Sequence, residues 1–412
     1  MKVLRMILAI SIGMITAIAL AGCGGSDGTG SNPNTGSNAG GLANSSGVAL
    51  VPSSNTGGNG SVLQVVTLFD SSGKPLPAPT LTTLTFPPGN FDGAALTPDG
   101  AHGAIVDGSI LHVFSANYSS GVANLVGYDM MNLAYGNDGD SVVFMENGDD
   151  AVVAMDNNSA GLLLFHSAVS GANANGGTGN VAVINGTTGH SYNGVLLSGD
   201  GSVLLARAPN GITVFKVSTQ QAGGTVNYTF TQTGLTLSVG DMLPAGSSGN
   251  ALGGGRDGMA ISPTDDSRGV AITNGTSGST VSLLTGLTTT PVIANTVAVG
   301  GSVLSVAIVP GNPSDLAIAG TSGGLVLLSG VSTGNLAQVG QLSAYTFNGQ
   351  GGTLGGITSV GVTSDGKYAV ACDQTNNELL LIPVSASGLG NPVGMTAAGT
   401  FVPPPTDEMM VH

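Results

Sequence analysis

Tryptophan is absent from this chain of 412 residues, and aromatic residues make up only 4% of it. Sugar-stacking surfaces and aromatic sandwiches around a quinone need large ring faces, so the composition argues against both. Charge is scarce as well, at 8% of residues, and basic charge is scarcest: 8 Lys and Arg stand against 23 Asp and Glu, a formal net charge of −15. Such a chain repels nucleic acid and anionic lipid headgroups, and favours cations and basic partners. Of the five histidines, none has the HExxH spacing of a zinc hydrolase, and no Cys-x-x-Cys-His attaches a haem. The glycine cluster Gly253–Gly255 has no Walker lysine after it and no strand-to-helix context, which excludes a phosphate loop. No stretch keeps a helical apolar period for long.

What is present begins at the N-terminus. Lys2 and Arg5 precede an apolar run from Met6 to Leu20, followed by Leu20-Ala-Gly-Cys23. A positive start, a short apolar middle and small residues at the cut are the layout of a secretory signal. The run is too short for a confident spanning helix. Small residues just before a cysteine resemble the lipobox of bacterial lipoproteins. The resemblance implies that residues 1–22 are removed and that Cys23 becomes the lipid-bearing first residue, so that the membrane is reached through lipid such as palmitate. Gly24, where Asp would mark inner-membrane retention, points to the outer membrane of the cell envelope, on its periplasmic face or the cell surface. Removing residues 1–22 takes away Lys2 and Arg5 and no acid, which moves the formal charge from −15 to −17. With Cys23 acylated, Cys372 is alone, and neither a disulfide framework nor a Cys-based metal site can form. Cys372 lies in the strand-like Tyr368–Cys372 and reads as a small buried hydrophobe.

Residues 24–60 are nearly all Gly, Ser, Asn and Thr, too polar to bury a core, so residues 23–60 read as a flexible tether. Residues 61–412 differ. Short apolar runs alternate with Gly, Asn, Ser and Asp turns, among 69 glycines, which is an all-β pattern. A repeat runs through it: apolar strand, Ser-Pro-Asp-Gly-like turn, second strand, polar turn, third strand. Its six copies run through Gly93–Gly100, Val142–Gly148, Val195–Gly201, Met259–Asp265, Val306–Pro310 and Val360–Gly366. The turn glycines Gly100, Gly148 and Gly201 are 48 and 53 residues apart. A period near 50 with three visible strands fits four-stranded blades that bury their faces by stacking radially, a β-propeller. Residues 62–87 either complete a six-blade ring by pairing with the C-terminal strands or supply part of a seventh blade; the reading leans to seven.

The turns Thr97-Pro-Asp-Gly100 and Thr363-Ser-Asp-Gly366 resemble those of the bacterial YVTN-type propellers, a group that includes lactonase-like propellers. The resemblance implies a propeller of six or seven blades. It bears on activity only as the option of lactone hydrolysis.

In such blades the start of the first strand and the end of the second share one face, the channel mouth. Asp92, Asp140, Asn193, Asp257 and Thr358 begin first strands; Asp107, Asp156, Asn274 and Asp373 end second strands. Antiparallel pairing makes Asp92 and Asp107, and Asp140 and Asp156, cross-strand neighbours. A ring of such oxygens suits a hard cation such as Ca²⁺; the competing reading, which weighs more, is that each side chain bonds the backbone of its own turn. His190, Arg256 and Asp257 are the only set at that mouth fit for hydrolysis, Arg256 holding an anionic group and His190 or Asp257 acting as base. The leading expectation is a lipid-anchored, non-catalytic module that binds a protein or peptide. A lactonase-like hydrolase and a cell-surface structural or adhesive protein are the alternatives.

Overall fold

The computed structural model describes residues 47–53, 62–87, 91–119, 122–133, 139–156, 160–172, 176, 180–208, 211–222, 225–237, 258–275, 278–311, 315–398 and 409–411. Arg256, Asp257, Cys23 and the side chain of Asp92 lie outside them. Among the described residues there is no α-helix, and no helix is long and apolar enough to cross a membrane.

The strands form seven blades. The first three, β1 (Val48–Ser53), β2 (Val62–Phe69) and β3 (Pro75–Thr85), belong to the blade that closes the ring. Blade 1 follows with β4 (Phe91–Leu96), β5 (His102–Asp107), β6 (Ile110–Ser119) and β7 (Val122–Asn132). Blade 2 holds β8 (Gly139–Phe144), β9 (Ala151–Met155), β10 (Leu162–His166) and β11 (Asn180–Val183). Blade 3 holds β12 (Gly194–Leu197), β13 (Val203–Ala208), β14 (Gly211–Ala222) and β15 (Thr225–Leu237). Blade 4 holds β16 (Met259–Ser262), β17 (Asp265–Gly275), β18 (Gly278–Thr285) and β19 (Val292–Val299). Blade 5 holds β20 (Val303–Ile308), β21 (Leu316–Thr321), β22 (Gly324–Ser329) and β23 (Ala337–Leu342), and a separate hairpin of β24 (Ala344–Phe347) and β25 (Gln350–Thr353) follows it. Blade 6 is β26 (Ile357–Val362), β27 (Tyr368–Asp373) and β28 (Glu378–Ser385), edged by the two-residue β29 (Gly388–Leu389) and β30 (Gly394–Met395). Blade 7 has the order β3-β2-β1-β31, with β31 (Met410–Val411) on the inside.

The inner and middle strands are apolar on both faces because each blade is covered on both sides. β2, β20 and β26 are buried at every position, the signature of a strand without a solvent face. One cluster fills the seam between blades 2 and 3 with Val143, Val152, Val195 and Leu204. Others fill the next seams in turn: Leu205 with Ile261, Val281 with Val306, Ile318 with Val360, and Val370 with Val51. The largest runs from blade 7 through blade 1 into blade 2, through Leu63, Ile105 and Val142. Every seam is therefore filled, and the ring has seven blades.

The T/S-x-Asp-Gly turns explain themselves chemically. Thr97 Oγ1 donates to Asp99 Oδ1 at 2.7 Å and accepts from His102 N at 3.1 Å, while Asp99 Oδ1 also accepts from Ala101 N at 3.0 Å. Ser198 with Asp200, and Thr363 with Asp365, repeat the arrangement. Glycine closes each turn at positive φ, as at Gly366 (+70°). Near the axis, glycine serves close approach instead. A Cβ at Gly93 would stand 2.6 Å from Asp140 O of the next inner strand.

One boundary needs correction. β1 lies inside the stretch 23–60 read as tether. Val48-Ala-Leu-Val-Pro-Ser53 is a short apolar island in polar sequence, and its partners are distant: Leu50 pairs with Val65 and with Met410.

Candidate functional site at the channel mouth

The mouth face gathers the starts of inner strands and the ends of second strands, as the hairpin register requires. Phe91 faces Asp107, Gly139 faces Met155, Gly194 faces Arg207, and Ile357 faces Asp373. The inner strands start with bulges in blades 1, 2, 5 and 6, which turn one or two residues out of the ladder. Asp140 sits at such a bulge, half-buried.

The described carboxylates of the expected ring, Asp107, Asp140, Asp156 and Asp373, form no metal-holding group. Among the described residues no group of three or more His, Cys, Asp or Glu could hold a metal ion. Asp373 is 1% exposed and its oxygens are occupied. Oδ1 accepts from Thr375 N (2.9 Å) and Asn376 N (3.1 Å), and Oδ2 from Gly355 N (3.1 Å) and Asn376 Nδ2 (2.9 Å). At Asp373 three of the four bonds come from its own turn and the fourth from Gly355, 18 residues earlier. Burial nonetheless holds its carboxyl above the ordinary aspartate range, outweighing those bonds. Asp156 is exposed and accepts from Ser191 Oγ. Asp107 stands 3.4 Å from His112 Nε2. His112, 1% exposed, is boxed by the rings of Phe86, Phe91 and Tyr128 at 5.2–5.8 Å. Asn274 joins blades: its Oδ1 accepts from Val303 N (2.9 Å) and Ser279 Oγ (2.6 Å), and its Nδ2 donates to Val303 O (2.7 Å). Thr358 is buried in β26.

Of the hydrolytic set only His190 is described. It is exposed, in the loop entering blade 3, with its ring 6.0 Å from that of Tyr192. Tyr192 is buried, with its hydroxyl 3.4 Å from Thr213 Oγ1; burial pushes its phenol up.

Three mouth residues were not singled out from the sequence. Arg207, the penultimate residue of β13, is 0% exposed, with Nη2 donating to Ile272 O of blade 4 at 3.3 Å. Its O accepts from Asn193 N at 2.9 Å. Glu378, 2% exposed, lies directly across the β27–β28 pair from Asp373, and burial first, then that neighbouring carboxylate, raises its carboxyl. Tyr345, on β24, donates to Glu378 Oε1 and so ties the hairpin to blade 6. The signal for Arg207 was its strand: an arginine among Val203-Leu-Leu-Ala206 is either exposed or held.

No family model matches the chain, and no curated protein does. Solved structures do. A candidate 6-phosphogluconolactonase from Bacteroides fragilis superposes with a TM-score of 0.58 at 16% identity, covering 86% of this chain and 98% of its own. The periplasmic gluconolactonase of Pseudomonas aeruginosa gives 0.56 at 14% identity, covering 89% and 98%. A functionally unknown protein from Desulfotomaculum acetoxidans gives 0.56 at 12%, covering 89% and 99%. The chain has the fold of a seven-bladed β-propeller. At these identities the likeness is one of fold, and a propeller fold hosts many unrelated activities. In this propeller the described polar groups of the mouth chiefly stitch turns and blades together.

Proposed function

We propose that this propeller is a lipid-anchored, extracytoplasmic binding module whose mouth face receives a protein or peptide. The observation that carries the reading is the use of the mouth's polar groups. Asp373 and Asn274 are consumed in bonds that fix one turn and one blade seam, which makes the face a rigid platform. The β24–β25 hairpin, largely exposed, stands on that side between blades 5 and 6. The strong negative charge favours a basic partner. The segment Leu20–Cys23 supports export and lipid attachment, and the likeness to a periplasmic gluconolactonase fits an envelope location. Cys372 is buried, with its Sγ 3.9 Å from Met409 Sδ. A thioether to lipid and a disulfide use the same Cys23 sulfur, so they exclude one another. Mass spectrometry of the N-terminal peptide, before and after reduction, separates them: diacylglycerol on Cys23 is expected, and an unmodified or reducible Cys23 would refute the anchor.

The binding role is tested with a photo-crosslinking residue at His190 and at Thr346 of the hairpin. Crosslinks to one basic partner at both positions are expected; crosslinks at neither position, with crosslinks from the opposite face, would place binding elsewhere. Ca²⁺ at the mouth is checked by thermal unfolding with Ca²⁺ and with chelator, since a ligand of the folded state raises its stability by mass action. A shift that vanishes in Asp92→Asn would assign the cation to that face.

A second reading, lactone hydrolysis, has one observation in its favour. Arg207 is fully buried at the mouth, and its backbone carbonyl accepts from the N–H of Asn193, three residues after His190. The assay is gluconolactone opening by the protein and by His190→Ala and Arg256→Ala. Turnover that falls in both variants would replace the binding reading; turnover no faster than buffer is expected.

A further inference from the structure

The outer strands of the blades are protected from edge-to-edge pairing, but one is not. β3 carries Pro75, Pro77 and Pro79, and β11, β29 and β30 are short. β7, β19 and β23 are each broken by a bulge against their neighbour. These are the devices that blunt a free edge, used here almost without charge. β15 differs. It is the outer strand of blade 3; its pairing with β14 also shifts once, between Thr213 and Phe215, but from Thr225 to Gln232 it pairs with Ala222 to Phe215 in an unbroken run of eight, against at most five in β7, β19 and β23. The run Thr-Val-Asn-Tyr-Thr-Phe-Thr-Gln has no charge, proline or glycine. β13 stops pairing at Val203–Lys216, so the β14–β15 ribbon projects past the blade. Along it Asn227, Thr229 and Thr231 are exposed, while Tyr228 and Phe230 are half-buried against the seam with blade 2.

We propose that this edge is where two copies of the chain join, β15 pairing antiparallel with β15 of a second copy about a two-fold axis at Thr229. The edge is self-complementary in that register. Thr229 meets Thr229 of the second copy, Tyr228 meets Phe230, Asn227 meets Thr231, and Val226 meets Gln232. Threonine pairs and aromatic pairs are favourable cross-strand neighbours, and a two-fold contact needs one patch that fits itself. Charge selects the same occupant. A chain of net charge −15 repels its own copy over most of its surface, but this strand sets no like charges opposite each other. The acids nearest it, Glu146, Asp149 and Asp150, belong to blade 2, and their charge reaches Tyr228. Lys216 lies across from Thr231 on β14. Added salt therefore strengthens the dimer by screening the net repulsion.

Sedimentation velocity of the purified chain over a dilution series tests this at low and high salt. A monomer–dimer equilibrium that shifts to dimer with salt is expected. Thr229→Lys and Thr229→Asp, both at an exposed position, each set like charges face to face and are expected to be monomeric; an equimolar mixture of the two restores the dimer. Thr229→Cys is expected to give a covalent dimer on mild oxidation, and Ser218→Cys on the neighbouring strand is not. A chain that is monomeric throughout, or a dimer that survives Thr229→Lys, overturns the proposal. So does a monomer that instead binds an added extended threonine-rich peptide at this edge, which would assign the strand to a peptide partner.

Discussion

At the residue scale, the buried acid pair under the hairpin is under electrostatic tension. Asp373 and Glu378 oppose each other across two strands, and both carboxyls are held above their ordinary values, chiefly by burial. A carboxyl with a raised folded value binds its proton more tightly in the folded state. Its contribution is therefore most favourable below the ordinary value, 3.8 for Asp and 4.5 for Glu, and is lost as pH rises through the raised folded value. Glu378→Gln removes one charge and keeps an acceptor for Tyr345. It is expected to stabilise the protein at neutral pH by about 1 kcal/mol and to flatten stability between mildly acidic and neutral pH. Asp373→Asn puts an amide where four donors already point, and is expected to destabilise by about 1–3 kcal/mol. Urea unfolding of both variants at several pH values checks the signs. None of this pairing was legible beforehand. Asp373 read as one of a ring because the hairpin arithmetic placed it at the mouth, which it is. Its bonds to Thr375 and Asn376 follow the local turn spacing, but its bond from Gly355, 18 residues earlier, follows no spacing rule. Tyr345 and Glu378 are 33 residues apart, and Arg207 looks like any strand-end arginine until its burial is seen.

At the element scale, legibility followed exposure. The first three strands of blades 1 to 6 are continuous apolar runs, and the repeat found them. The fourth strands, β7, β11, β15, β19 and β23, escaped it. Their outer positions meet solvent, so β19 and β23 are mostly exposed; β23 breaks its apolar residues with glutamine and glycine, and β19 leaves Val292 and Ile293 exposed. The turns were legible for the opposite reason, since their chemistry is local. Thr363 shows how much each turn rests on one hydroxyl, which donates to Asp365 and accepts from Tyr368 N at 3.2 Å. Thr363→Ala strips the carboxylate of a donor and leaves a backbone N–H without its acceptor. The expected cost is about 1–2 kcal/mol, read as a lower urea midpoint with an unchanged slope. Thr363→Ser keeps the hydroxyl and is expected to recover most of it. An equal loss in both variants would show that the methyl group's packing matters, not the bond.

At the scale of the molecule, the ring is closed by its two ends. Blade 7 takes three strands from residues 48–85 and its inner strand from Met410–Val411. Among the described residues the contact is short, Ala49 with Val411 and Leu50 with Met410, but what it covers is not. Met409 and Val411 are buried with Val51, Val66, Val370 and Leu379, and a Cβ on Gly361 of the inner strand of blade 6 would sit 2.3 Å from Val411 Cγ2. The last residues thus fill the axis side of one blade and the seam to the next. Removing residues 409–412 exposes that apolar seam and the inner edge of β1 together. Side chains of this size contribute about 1.5–3 kcal/mol each when fully buried, so the truncated chain is expected to lose several kcal/mol and to gain an aggregation-prone edge. Thermal unfolding and light scattering of the truncated protein check both. Val411→Asp separates the causes, since it keeps the strand and its backbone bonds but spoils the seam. If seam packing dominates, the two variants unfold at similar temperatures; if strand pairing dominates, only the truncation falls far. A ring that unfolds normally after both changes would mean that the other six seams hold the propeller without its clasp.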